Sequence, residues 1–330
     1  MDFSFFHAGK DDDGRRLDRI LKRLMPSANL SSIYKSLRKG LVKVNGGKAD
    51  ASMKISFGDE IKIAEFLLSQ DSDCSKKSSP LPVEMILFRN EHLLVLNKPY
   101  GIPVQPGACK SVESLSDIVS ADFSAKNGKE SLSFRPGPLH RLDRNTTGLV
   151  VFSQSIDGAR IFSEWIKNHL LEKIYLGLVL GCMEDEAVWV DKIMKNQGNG
   201  QEFRTVNVLE KESRVGKTAD TKAIPLAHGN LFGNDVTLVK FLIGSGRTHQ
   251  IRSQTASHGF PLLGDGAYGG KVETADLGQE FFLHARELSF PDCAERNFLG
   301  LPEKLLCPLP ENFEKILNKM LKKSFSTLIF

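Results

Sequence analysis

At 330 residues, 41% hydrophobic and 8% aromatic, the chain has room for about two globular domains and lacks the composition of a disordered, collagenous or membrane-embedded protein. Lys and Arg number 44 against 40 Asp and Glu, a net charge of only +4. Between Gly14 and Phe66, however, twelve basic residues face five acidic ones, a local +7, which is the electrostatic footprint of a nucleic-acid-binding module, even though solvation alone explains any single lysine.

The first thirteen residues carry −3, the wrong sign ahead of an export signal. No apolar run approaches the roughly 20 residues of a membrane span. Residues 16–39 read as two short helices. RLDRILKRLM places Leu17, Ile20, Leu21 and Leu24 on one face, and SSIYKSLRKG opens on Ser31 or Ser32 as a cap with Ile33 and Leu37 inward. LVKVNGG then predicts a strand running into an Asn45-Gly46 turn, and GDEIKIAEF a second alternating strand. YKSLRKGLVKVNG followed by GDEIKI resembles the S4 RNA-binding domain. The resemblance implies that Arg16, Arg19, Lys35, Arg38 and Lys39 hold phosphates of structured RNA, where contacts give affinity with little sequence readout. The plainer alternative is a solvated helical hairpin with a charged face.

The expected division is an S4-like domain over residues 14–66, a Ser, Asp and Lys-rich linker over 67–82, a catalytic domain over 83–310 and a C-terminal amphipathic helix and tail over 311–330. SADFSAKNGKESLSF is expected to be a mobile surface loop within the larger domain. From Val83 onward short strands dominate: two in EMILFRNEHLLVLNKPYG, then GLVVFSQS, KIYLGLVLG, VTLVKFLIG and FFLHARELSF. Two helical stretches interleave them, IDGARIFSEWIKNHLL and GSGRTHQIRSQTASHG. The fold class is therefore α+β, with a mixed, largely antiparallel sheet behind a small α/β N-terminal domain. Neither glycine-rich phosphate-binding fingerprint is present, which disfavours a nucleotide-cofactor enzyme. Five cysteines without a C-x-x-C pair, and His249 and His258 nine apart with no third ligand at a recognised spacing, argue against a disulfide framework and a metal centre. A reducing cytoplasmic setting is expected.

Four stretches carry chemistry. In HRLDRNTTGLVVF, residues 140–152, Asp143 sits between Arg141 and Arg144, so its anion is stabilised and it should stay ionised at neutral pH, which suits a nucleophile or electrostatic stabiliser. Alone, this stretch reads more naturally as a surface ion-pair cluster. In EKIYLGLVLG, Ile174, Leu176, Leu178 and Leu180 share one strand face, so Tyr175 falls on the other, beside Gly177. GSGRTHQIR predicts a helix start with Arg247 in its first turn and Arg252 three residues after His249, able to offer a fork of donors to a carboxylate such as Asp143. NKPYGIPVQPG predicts a rigid exposed loop.

HRLDRNTTGL, NKPYGIPVQPG, EKIYLGLV, GRTHQIR with GFPLLGDGAYGG, and LHARELSF, preceded by the S4-like segment, together resemble the RluA-type ribosomal large-subunit pseudouridine synthases with an N-terminal S4 domain. The resemblance spans roughly residues 15–310. It implies conversion of uridine to pseudouridine in RNA without cofactor or metal. It puts the catalytic aspartate on Asp143, the active-site tyrosine on Tyr175 and the aspartate's basic partner on Arg252. Arg141 becomes the arginine that enters the RNA where the target base leaves, and Lys98, Arg247 and His249 become further RNA contacts. Gln105 and Gln254 stand where the family usually has His, and Thr147 where it usually has Ser. Large-subunit ribosomal RNA is the expected partner, transfer RNA the lesser candidate, and a monomer the expected state. The rivals are a catalytically silent RNA-binding assembly factor and a glycosidase-like hydrolase, which would need a second carboxylate near Asp143 to activate water.

Overall fold

The computed structural model of the chain describes residues 2–68, 79–107, 112–127, 131–132, 134–195, 206–209, 215–272 and 280–321. Cys74, Cys109, most of the expected linker and the tail from 322 lie outside them. Two compact units separate: Met1–Leu81 with Ser116–Gly137 and Gln154–Asp157, and Pro82–Leu115 with Pro138–Ser153 and Gly158–Phe330.

The first unit is built from β1 (Phe3–His7), α1 (Leu17–Leu24), α2 (Leu30–Arg38), β2 (Val42–Val44), β3 (Gly47–Lys48), β4 (Glu60–Ala64) and nearly all of α3 (Leu115–Asn127). The apolar stripe of α1 and α2, with Leu17, Ile20, Leu21, Ile33 and Leu37, is buried against Val42, Val44, Ile61 and Ile63 of the sheet. The cap of α2 is not Ser31 or Ser32 but Asn29, whose side-chain oxygen accepts the Ser32 N–H at 2.8 Å. Asn45 and Gly46 both adopt positive φ, 48° and 75°, as a two-residue hairpin between β2 and β3 requires. β1, unforeseen in the sequence, pairs antiparallel with β4 and makes the strand order β1-β4-β2-β3.

The expected loop after Ser120 is a correction. Its first eight residues belong to α3, where Ile118, Val119 and Phe123 are buried. The serines that suggested a loop are tolerated because Ser124 returns its hydroxyl to the Ser120 carbonyl one turn back, at 2.8 Å. Beyond the helix, Leu132 joins the first unit's core and its N–H donates to the buried Asp12 carboxylate at 2.9 Å.

The second unit contains β5 (Ile86–Arg89), β6 (Leu93–Lys98), β7 (Thr147–Ser153), α4 (Ile156–Lys167), β8 (Glu172–Leu180), β9 (Ala187–Lys195), β10 (Val206–Leu209), β11 (Lys217–Leu231), β12 (Asn234–Ile243), α5 (Gln250–Ser257), β13 (Leu283–Ser289), α6 (Ala294–Phe298), β14 (Lys304–Leu306) and α7 (Glu311–Leu321). The sheet runs β10-β9-β11-β12-β8-β13-β7-β6-β5, with β14 also on β13. Every pairing is antiparallel except β13 with β7. The α+β, largely antiparallel class read from the sequence is the one observed. One face buries Leu176, Leu178, Val236 and Leu238 under Phe313, Ile316 and Leu317 of α7. The other face carries the row Ala223, Phe241, Tyr175 and Ala285, which are register partners across β11, β12, β8 and β13.

The parallel contact is tight. Gly148 has φ 105°, and a Cβ there would lie 2.2 Å from the Ala285 carbonyl oxygen, so only glycine lets β13 approach β7. That approach sets His284 Nδ1 2.8 Å from the Thr147 hydroxyl. Burial, ahead of the opposing bond from the Cys307 backbone, pulls the His284 pKa down to about 3, and burial does the same to His140. Both rings are therefore neutral in the folded unit and gain a proton on unfolding below their ordinary 6.5. Their contribution to stability is complete above pH 6.5 and is lost as pH falls from there toward 3, by up to about 1.4 kcal/mol per pH unit per histidine. The urea midpoint should accordingly fall less steeply between about pH 7 and about pH 4 in His284→Gln than in the unaltered chain. Parallel slopes would show that His284 is not held neutral by burial.

Candidate active site

Asp143 stands in the connection that leads into β7. Its backbone is fixed from beneath by Lys98, whose ammonium donates to the carbonyls of Pro99 at 2.9 Å, Arg144 at 2.6 Å and Thr146 at 2.8 Å. Arg144 turns away from Asp143 and donates through Nε to the Gly101 carbonyl at 2.8 Å. The loop of NKPYG and the loop of HRLDRN are thus laced together, and the Asp143 carboxylate is left at the edge of a cleft, 17% exposed. Leu142, Thr146, Tyr175, Ile243, Leu283 and the segment Gly246–Arg252 line that cleft with it.

Arg252 reaches Asp143 from α5, Nη1 to Oδ2 at 3.4 Å. Its short bonds go elsewhere. Nε and Nη2 grip the two oxygens of Asp265 at 2.7 and 2.9 Å, a bidentate fork that leaves a single nitrogen for Asp143. The rings of Tyr268 and Phe281 flank the guanidinium, with centroids at 5.0 and 4.5 Å. Burial works against the charge of Arg252, but the Asp265 bond, with the charges of Asp265 and Asp143, more than offsets it and holds the guanidinium above its ordinary pKa. Asp265 itself is 1% exposed, a buried carboxylate wholly committed to its arginine.

His249 places Nε2 3.8 Å from Asp143 Oδ1 and Nδ1 2.9 Å from the Tyr268 hydroxyl. That hydroxyl also accepts the Val206 N–H at 2.8 Å, so one oxygen ties the imidazole to the start of β10. Burial lowers the His249 pKa, with Asp143 opposing, so the imidazole is neutral at neutral pH. The Tyr175 phenol is pushed up by burial and further by the charge of Asp143. It remains protonated and cannot serve as a base near pH 7.

The structure therefore gathers Asp143, Tyr175, Arg252, His249, Arg247 and Arg141 around one cleft, the last two as exposed residues of its rim. Arg16, Arg19, Lys35, Arg38 and Lys39 belong to the first unit and are exposed there, Arg16 being paired with Asp18 at 2.7 Å. Three expectations need correction. Lys98 is fully buried and spends its three N–H groups on carbonyls, so it is no RNA contact. Arg247 is not in a helical first turn: α5 begins at Gln250, whose side chain accepts the Arg247 N–H and the Ser245 hydroxyl, while His249 takes a left-handed backbone, φ 52°. Arg252 does offer a fork, but to Asp265, which the sequence reading assigned no role. The signal was there in GDGAYGG, a carboxylate thirteen residues beyond the arginine, with nothing local to connect them. Gln254, in place of the family's usual His, is buried and fully engaged, donating to Asp191 at 2.6 Å and the Ala219 carbonyl at 3.2 Å and accepting from Thr221 at 2.7 Å. Gln105 is exposed. Removing one partner of a buried pair leaves the other uncompensated, so Asp265→Ala should cost about 3–5 kcal/mol in urea unfolding. A loss below about 1 kcal/mol would contradict a buried, committed pair.

Comparison with known proteins bears on this arrangement. Residues 92–257 match the family described as RNA pseudouridylate synthase, and residues 15–61 match the S4 domain. A ribosomal large subunit pseudouridine synthase C of Haemophilus ducreyi is 30% identical over 310 residues, 90% of this chain and 91% of that protein. The protein so named in Pasteurella multocida is 30% identical over 332 residues, 96% of this chain and 94% of its own length. Of solved structures, human RNA pseudouridylate synthase domain containing 4 shares the fold with a TM-score of 0.53 at 24% identity, over 70% of this chain and 90% of that one. Human RNA pseudouridylate synthase domain containing 1 does so at 0.52 and 21%, over 75% and 99%. A family match across half the sequence and relatives aligned along nearly all of it agree with the motifs that meet in the cleft: the chain belongs to the RNA pseudouridine synthases and carries an S4 domain near its N-terminus.

Proposed function

We propose that this RNA pseudouridine synthase isomerises selected uridines of large-subunit ribosomal RNA, with Asp143 as the acting carboxylate. The observation that carries the role of Asp143 is its position: a partly exposed carboxylate at the cleft, 3.4 Å from a guanidinium whose orientation a second carboxylate fixes. The reaction replaces a C–N glycosidic bond with a C–C bond, so uracil must be detached, turned and rejoined, and a carboxylate is the group that can act on ribose or base in that sequence. The flat ring of Tyr175, protonated and in the cleft wall, gives the loosened base an apolar surface to lie against. Neutral His249 stands 3.8 Å from Asp143 without adding charge. Extruding the base costs a few kcal/mol, and Arg141, exposed at the rim, can fill part of the gap left in the RNA.

Ribosomal RNA is favoured over transfer RNA because relatives aligned along 90% and 96% of this chain are named for the ribosomal large subunit. Among the described residues no helix is long and apolar enough to cross a membrane, and a monomer acting in the cytoplasm without metal or nucleotide cofactor completes the proposal. A hydrolase releasing free base would need a carboxylate free to activate water. The second carboxylate at this site, Asp265, is 1% exposed and committed to Arg252, which favours isomerisation.

Asp143→Ala should abolish isomerisation while leaving RNA affinity within about threefold, since one carboxylate is removed and no phosphate contact is lost. Pseudouridine-specific mapping of large-subunit ribosomal RNA, from cells lacking the chain and complemented with either form, reads this directly. Turnover by the alanine form would sink the mechanism, and unchanged sites in every RNA would sink the substrate. Replacing Arg19, Lys35 and Arg38 together by alanine should weaken binding and shallow the dependence of log affinity on log salt by up to roughly 0.9 for each phosphate contact removed. An unaltered slope would show that these helices do not meet RNA.

A further inference from the structure

The first unit has a second surface that the basic helices do not explain. Alternation along its strands sends Phe6, Ile61, Ile63, Val42 and Val44 inward, toward α1 and α2, and leaves Phe3, Phe5, Lys62 and Lys43 on the opposite face of the sheet. The register sets Phe5 opposite Lys62, Lys62 opposite Lys43, and Lys43 opposite Lys48. A single transverse row across four strands thus presents one phenyl ring and three ammonium groups. Strands spaced about 4.8 Å apart make the lysine row about 10 Å long.

Such a row is unfavourable in isolation, because like charges directly opposite one another repel. Among the described residues, none of the three lysines makes an ion pair. The Lys62 ammonium instead rests over the rings of Phe3 and Phe5, 4.6 and 5.0 Å from their centroids, a half-buried contact weak enough to exchange. Phe5 is 54% exposed, with Phe3 two residues away on the same face of this edge strand. Both aromatic residues sit on β1, which lies outside the S4 match at 15–61.

We propose that the outer face of this sheet is a second RNA-contacting surface, on which an unpaired strand stacks a base on Phe5 and Phe3 and lays its phosphates along Lys62, Lys43 and Lys48. The inference rests on the reading of the chain as an RNA-binding enzyme. Charge complementarity selects a polyanion. The rings, Phe5 exposed and Phe3 half-buried, select one whose bases are free to stack, because a base inside a duplex has its face covered by its neighbours. The helices, packed on the inner face, carry Arg19, Lys35 and Arg38 on a different surface, so the unit has one face suited to backbone contact and another suited to an unpaired segment.

The test uses the full chain and two probes, a short oligouridylate and an RNA hairpin with the same number of nucleotides. The Phe3→Ala, Phe5→Ala double variant should weaken oligouridylate binding by roughly fivefold or more while hairpin affinity stays within about twofold. Phe5→Trp should keep the affinity and show tryptophan fluorescence quenched by oligouridylate; Trp165 and Trp189 are both buried and give a steady background. This variant also decides the matter if the double alanine form is unstable. If the unaltered chain binds the RNAs and neither the alanine variant nor the tryptophan signal responds, the surface is not a stacking platform and the proposal falls. Equal loss on both probes would also overturn it, by reducing the face to general electrostatics. Failure of the unaltered chain to bind either RNA would instead overturn the RNA reading itself.

Discussion

The bond from Arg252 to Asp265 decides what the rest of the cleft can be. A guanidinium and a carboxylate withdrawn from water are stable only if the geometry is good and the remaining hydrogen-bonding capacity is used. Here both requirements are met, with two bonds at 2.7 and 2.9 Å and aromatic rings on the flanks. Once Asp265 has fixed two of the nitrogens, the third points at Asp143 without further adjustment. Because Asp265 takes the arginine's two short bonds, Asp143 meets a single longer one. A carboxylate locked in a short bidentate bridge would be a poor reactant; one held at 3.4 Å is oriented but still available.

The neighbours complete this division of labour by remaining uncharged. His249 and the Tyr175 phenol are both kept neutral by burial, and Asp143 acts on each in the direction that its negative charge requires. Lys98 plays the complementary part below the loop. Its pKa is drawn down to about 7 by burial, with Asp143 opposing, yet its three carbonyl acceptors match the three donors of an ammonium. The polypeptide around Asp143 is thereby shaped by backbone carbonyls gathered on a cation, and the side chain is left at the cleft.

Much of this was legible in the sequence. Strands rich in Val, Leu and Ile, such as β6, β7, β8 and β12, announce themselves by composition, and the amphipathic stripes of α1 and α2 do so by period. β11 does not, because three of the four residues it buries are Ala219, Thr221 and Ala223, small or polar side chains that accommodate Gln250 and Gln254 of α5. β1 is short and flanked by acid, and α3 is written largely in Ser, Ala and Asp. Asp143, Tyr175 and Arg252, which meet at the cleft, were singled out through linear motifs. Asp265 escaped because its meaning is purely tertiary: the motif that contains it, GFPLLGDGAYGG, gives no local sign of its partner, which is set by the turn through Gly264–Gly270. Lys98 was misjudged for a related reason, since a lysine in an exposed-looking Pro and Gly loop gives no sign that three carbonyls converge on it.

The parallel pairing of β7 with β13 has a temporal consequence. Asp143 and Arg252 are 109 positions apart, and β13, which packs beside the loop of Asp143, comes later still. At a synthesis rate of about 5–20 residues per second, the carboxylate emerges several seconds before the arginine that orients it, and longer before the strand that closes the sheet around it. A nascent chain can complete the first four strands of its basic N-terminal unit and engage RNA while its cleft is still unbuilt. The wide sequence separation therefore orders events during translation: attachment can come first, and the assembled cleft only once β13 has been made.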